Sequence, residues 1–122
     1  MQLQAMVFAK DLGHLVSFYS LLLGTDTIVE TRDVGWAELV VGSTVLTLHA
    51  IPPHIAADIE ITRPPHIRED TAIKLVVTLD RPELDEAALR TLGGLVIHRP
   101  WGGVDVVDPE GNVVGVVMSA TA

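Results

Sequence analysis

The chain has 122 residues, 48% of them apolar, and its 16 acidic and eight basic side chains give a net charge of −8. That composition fits a globular protein and excludes disorder, while the acidic balance excludes a nucleic-acid module, whose phosphate partner demands a basic surface. With no cysteine, disulfides, thiolate metal sites and cysteine nucleophiles are excluded, and a reducing, cytoplasmic setting is expected.

No apolar run nears the roughly 20 residues that span a bilayer, so no membrane partner is expected. No secretory leader is expected either, since the start lacks a basic stretch and a small-residue cleavage site. One domain over residues 1–122 is expected, divided into a first module (1–50), a connector (51–71) and a second module (72–122). A module of about 50 residues is marginal alone, so each half is expected to lean on the other or on a second chain.

In chain order, Met6, Val7, Phe8 and Ala9 form a short apolar run suited to a strand. Asp11 then follows as a helix cap, its carboxylate able to accept a backbone N–H of the first turn. Leu15, Phe18, Tyr19, Leu22 and Leu23 share one helical face, and Gly24 stands where a left-handed helix end favours glycine. Thr27–Thr31 reads as a strand and Asp33-Val34-Gly35 as a turn. From Trp36 to Val41 the residues alternate, with Ala37, Leu39 and Val41 on one side and Trp36, Glu38 and Val40 on the other. Gly42-Ser43 reverses the chain into a strand over Thr44–Ala50.

Residues 51–71 hold four prolines and the triplet Pro-Pro-His twice, at 52–54 and 64–66. This reads as a connector with one extended piece at Asp58–Thr62. Its two histidines suit solvent better than a metal, and loops of this length are often functional. A strand follows over Ile73–Leu79, with Asp80 as cap and a helix over about Pro82–Leu92 carrying Leu84, Ala87, Ala88 and Leu92. Leu95–His98 is a strand. Val104–Val107 and Asn112–Met118 form a hairpin around Asp108-Pro109-Glu110-Gly111, where proline presets φ and glycine permits a positive one.

The halves repeat one another. At a single shift Asp11 falls on Asp80, Leu15 on Leu84, and Leu23-Gly24 on Leu92-Gly93. Identities on matching structural signals indicate duplication. The fold class is α+β, two βαβββ modules.

With Lys10-Asp11-Leu12, Phe18-Tyr19, Leu23-Gly24 and Asp108-Pro109-Glu110-Gly111-Asn112 in this order on a duplicated βαβββ plan, the chain resembles the vicinal oxygen chelate superfamily. That group includes glyoxalases, extradiol dioxygenases and the fosfomycin and bleomycin resistance proteins. The resemblance implies a curled eight-stranded mixed sheet, four strands from each module, around a shared cleft. It also implies a homodimer. Metal-using members place ligands on the first and last strand of each module, which by motif falls on Gln4, Thr47, Ile73 and Gly115. A divalent ion needs several converging N or O donors. Gln4 offers an amide oxygen and Thr47 a neutral hydroxyl, whereas Ile73 and Gly115 offer no side-chain donor. His49, on the Thr47 face, does not complete the set. The expectation is therefore no metal and no cofactor, and with them goes the Lewis acid of the enzyme branches.

A cleft remains. By alternation Gln4, Met6 and Phe8 share a face with Trp36, Glu38, Thr47 and His49, while Trp101 can close one end. The expected ligand-binding set is Gln4, Phe8, Trp36, Glu38, Thr47, His49 and Trp101, an aromatic wall with a few polar groups. Filling of core or dimer interface is the competing role for both tryptophans, and Glu38 suits ligand contact better than base catalysis. No catalytic residue is assigned. The expected function is metal-independent binding or sequestration of a small molecule, cationic or aromatic, in the manner of the bleomycin resistance proteins. The alternative is a glyoxalase- or dioxygenase-like metalloenzyme with a displaced metal site.

Overall fold

The computed structural model of the chain describes residues 1–25, 28–31 and 35–119. In order, the described elements are β1 (Ala5–Ala9), α1 (Leu12–Leu23), β2 (Ile28–Thr31), β3 (Trp36–Val41), β4 (Thr44–Ala50), α2 (Pro53–Ala56), β5 (Leu75–Leu79), α3 (Glu86–Thr91), β6 (Leu95–His98), β7 (Val104–Val107) and β8 (Val113–Met118). The predicted Thr27, Asp33 and Val34 lie outside the described residues. The strands form two four-stranded sheets, and the chain divides into two compact units, Met1–Glu60 and Ile61–Ala122. Both units are βαβββ, so the fold class read from the sequence holds.

In the first unit the strand order is β1-β4-β3-β2, with β1 parallel to β4 and the other pairs antiparallel. Asp11 caps α1, its Oδ1 accepting the His14 N–H at 3.1 Å. Gly24 ends the helix in the left-handed conformation, where its N–H reaches the last-turn carbonyls. Leu15, Val16, Phe18, Tyr19 and Leu22 are buried on one side of α1, and Phe18 and Tyr19 meet edge to face at 5.4 Å. The stripe thus takes Val16 where Leu23 was expected. The helix lies on β3 and β4, whose Ala37, Leu39, Leu46 and Leu48 are buried. That leaves Trp36, Glu38, Thr47 and His49 on the opposite side of the sheet.

The second unit repeats the order as β5-β8-β7-β6 with the same parallel and antiparallel pattern. Here three expectations are corrected. The strand opens at Leu75, and Ile73 is 82% exposed before it. The helix is only Glu86–Thr91, and its cap is Asp85, whose Oδ1 accepts the Ala88 N–H at 3.1 Å. Pro82 explains the delay, because it biases Arg81 away from helical φ and ψ, so a start at Asp80 is disfavoured. Leu89, four residues beyond the cap as Leu15 is beyond Asp11, becomes the buried residue of α3.

The connector also differs. Asp58–Thr62 forms no strand, and α2 forms instead with Pro53 in its first turn, where a fixed φ helps and a missing N–H costs little. Further on, Arg68 pairs with Asn112, its N–H donating to the Gly111 carbonyl at 2.9 Å. The predicted turn forms around Asp108, whose Oδ1 accepts the N–H groups of Glu110 (2.8 Å) and Asn112 (3.1 Å). Gly111 has φ +94°, and a Cβ there would lie 2.0 Å from the His66 carbonyl oxygen. The connector is pressed so closely on this turn that only glycine fits.

Candidate functional site

The face of the first sheet turned away from α1 carries two side-chain rows set by strand register. One row is Phe8, His49 and Trp36, and the other is Met6, Thr47 and Glu38. In the first, the His49 ring stands between its neighbours, 5.8 Å from Phe8 in a tilted contact and 5.4 Å from Trp36 edge to face. Its Nδ1–H donates to the Ala50 carbonyl at 2.7 Å, since a carbonyl can only accept. Phe8 is 58% exposed, a high value for an aromatic residue.

The second row is polar. Trp36 Nε1–H donates to Glu38 Oε1 at 3.2 Å, tying the indole to the carboxylate across the rows. Thr47 is 1% exposed, yet its Oγ1 has no hydrogen-bond partner. Such an orphan is uncommon, because buried polar groups are nearly always satisfied. Gln4 is exposed immediately before β1. Of the seven predicted ligand residues, the register therefore sets five on one sheet face (Phe8, Trp36, Glu38, Thr47 and His49). Trp101 belongs to the second unit, 79% exposed on the turn before β7, with the Arg99 guanidinium 6.0 Å from its ring centre.

His49 also borders a cavity of about 660 Å³ at the end of β4, lined by Lys10, Gly35, Ile51, Pro52, Pro53 and Ala56 among others. Lys10 Nζ donates to the Ile59 carbonyl, holding the connector beside this space. Of the residues around this cavity the expected ligand set held only His49. Lys10 was marked only as part of a motif, Gly35 only as part of a turn, and the connector residues only by their proline-rich composition, which says where the chain is unusual and not what it borders.

Register also identifies what the second unit holds at corresponding positions. β1 and β5 share one burial pattern, so Lys74, just before β5, corresponds to Gln4, and Ile73 does not. Thr47 pairs with Met6 and Glu38, and Gly115 pairs with Val76 and Asp105. Thus Lys74, Gly115 and Asp105 stand where Gln4, Thr47 and Glu38 stand in the first unit. Lys74 Nζ meets Asp105 Oδ1 at 2.8 Å, and Arg99 Nε donates to Asp105 Oδ2 at 2.9 Å while its other end pairs with Glu69. Burial works against the Asp105 charge, but the hydrogen bonds and charges of Lys74 and Arg99 outweigh it and hold the carboxyl below its usual range. Glu69 and then Asp105 raise the Arg99 guanidinium above its ordinary value.

Neither unit's positions fit the metal that the resemblance implies. Two of the four positions offer an amide and a hydroxyl, one offers no side chain, and Lys74 offers an ammonium already paired with a carboxylate. Among the described residues no three His, Cys, Asp or Glu side chains gather in metal-binding reach. No helix of the described residues is long and apolar enough to cross a membrane.

Neither a protein-family model nor a curated protein matches the chain. Solved structures do. A glyoxalase/bleomycin resistance protein from Albidiferax ferrireducens T118 is 19% identical with a TM-score of 0.66, over 98% of this chain and 99% of that one. A lactoylglutathione lyase from Agrobacterium tumefaciens is 20% identical with a TM-score of 0.55, over 98% and 93%. The bleomycin-binding protein of Streptomyces verticillus, solved with copper(II)-bleomycin, is 18% identical with a TM-score of 0.53, over 98% and 96%. At such identities the likeness is one of fold, and with the duplicated βαβββ units it establishes that this chain has the vicinal oxygen chelate fold of the glyoxalase and bleomycin resistance proteins.

Proposed function

We propose that the chain binds a small organic molecule, cationic or aromatic, on the face of its first sheet turned away from α1, without a family-type metal ion. The observation that carries this reading is the row of three rings, Phe8, His49 and Trp36, with the Glu38 carboxylate bonded to the indole. An aromatic ring whose face meets a bound cation offers it up to about 2 kcal/mol when water is excluded. A carboxylate beside them adds a charge-assisted hydrogen bond of similar size. The neighbouring cavity beyond His49 provides room for part of a ligand within the usual size of small-molecule sites. The bleomycin-binding protein of like fold supports binding as the class of function. The lyase of like fold represents the alternative, catalysis with a displaced metal, which the donor set does not favour.

The test is a titration of any ligand found by thermal-shift screening of cationic antibiotics, thiol conjugates and small diols. Trp36→Ala is expected to weaken binding about tenfold or more while the fold survives, since 1.4 kcal/mol is a factor of ten. EDTA is expected to change nothing. Loss of binding in EDTA would move the reading to a metalloenzyme, and unaltered binding by Trp36→Ala would make the indole a packing residue.

A further inference from the structure

We propose that this face selects a protonated primary amine, which donates one N–H to Glu38 and a second to Thr47 Oγ1 while its carbon skeleton lies against the aromatic row. The inference rests on the binding reading above and names the ligand chemistry of the same site. Its own observation is the orphaned Thr47 hydroxyl, 1% exposed and without a partner. Thr47 and Glu38 are directly opposite in the β3–β4 register, so their Cβ atoms stand about 4.5–5.5 Å apart. One ligand nitrogen can reach both groups.

The remaining capacity of each group fits an N–H donor. Trp36 Nε1–H uses Glu38 Oε1, and a carboxylate with two oxygens accepts more than one bond. The Thr47 hydroxyl has acceptor lone pairs to offer. A primary ammonium supplies three N–H donors and satisfies both acceptors at once. A quaternary ammonium supplies charge for the rings and the carboxylate but leaves the hydroxyl orphaned. A neutral alcohol can meet the hydroxyl but brings no charge to Glu38. Entry involves Met6, the other cross-strand neighbour of Thr47, which is 44% exposed. Methionine is unbranched and turns aside readily.

The experiment titrates benzylamine, benzyltrimethylammonium and benzyl alcohol by two-dimensional NMR into wild type and Thr47→Val, and records the Tm of both free proteins. Benzylamine is expected to bind wild type most tightly. Thr47→Val is expected to weaken benzylamine about tenfold, the worth of one hydrogen bond to a charged group, and to leave benzyltrimethylammonium unchanged. It is also expected to raise the Tm of the free protein, because a buried unpaired hydroxyl is removed and the shape kept. Equal binding of benzylamine and benzyltrimethylammonium to wild type overturns the proposal and leaves the binding reading standing, as does unaltered benzylamine binding by Thr47→Val. A lowered Tm also overturns it, since the hydroxyl would then be satisfied in the free protein. If none of the three probes binds wild type, both the face as a cation site and the amine proposal fall.

Discussion

Asp105 stands at the position where the first unit has Glu38, and the two carboxylates have different surroundings. Glu38 accepts from an indole, whereas Asp105 meets two cations, Arg99 just after β6 and Lys74 just before β5. The depressed pKa of Asp105 makes stability depend on pH with a definite sign. The unfolded chain binds the proton more readily, so the contribution is present above the ordinary carboxylate value of about 3.9 and is lost as pH falls through the lower folded value. Asp105→Asn is expected to cost about 1.5–3 kcal/mol at neutral pH, the range for hydrogen bonds to charged groups. In urea melts the difference between wild type and Asp105→Asn should shrink as the pH is lowered below about 4. A difference that stays constant would mean the ion pairs contribute nothing in solution. Alternation along its strand marked Glu38 in the sequence and left Asp105 unmarked, because the partners of Asp105 come from segments that only folding brings beside it.

At the scale of an element, the two helices show how one duplicated plan diverged. Asp11 and Asp85 each accept the N–H three residues on, and Leu15 and Leu89 each become the buried anchor four residues after the cap. The identity between Asp11 and Asp80 pointed to the wrong aspartate in the second copy. Pro82 is the physical reason, since it restrains the residue before it. Asp85→Ala is therefore expected to lower stability by about 0.5–2 kcal/mol in urea denaturation, as loss of a helix cap does. Asp80→Ala, on an exposed side chain, is expected to stay within about 0.5 kcal/mol of wild type. The reverse order would restore the longer helix read from the sequence. The connector makes a similar point, because an extended piece was expected at Asp58–Thr62 and none forms there, while Pro53 opens α2.

At the scale of the molecule, each unit has its own sheet and helix but only about half of the chain. Units of this size bury too small a fraction of their surface to be robust alone. Phe8, Ile73, Val76 and Val117 remain exposed apolar side chains. We therefore expect the chain to pair with a second copy, and light scattering at micromolar concentration should give twice the 13.1 kDa chain mass. A mass of one chain would remove the dimer from the account.

Hydrophobic period, cap and turn chemistry act within a few residues, and these the sequence by itself determined. They gave α1 with its Asp11 cap, the hairpin around Asp108, and the alternation that put Trp36 and Glu38 opposite Ala37 and Leu39. What the tertiary structure decided were the matters of register between distant segments. Register made Lys74, and not Ile73, the counterpart of Gln4, and it set Thr47 beside Glu38 with its hydroxyl unsatisfied. It also pressed His66 against Gly111 so that no side chain fits there. Local patterns fix which way a side chain points from its own strand, but which groups it meets depends on how strands far apart in sequence align, and a slip of one residue reverses every such meeting.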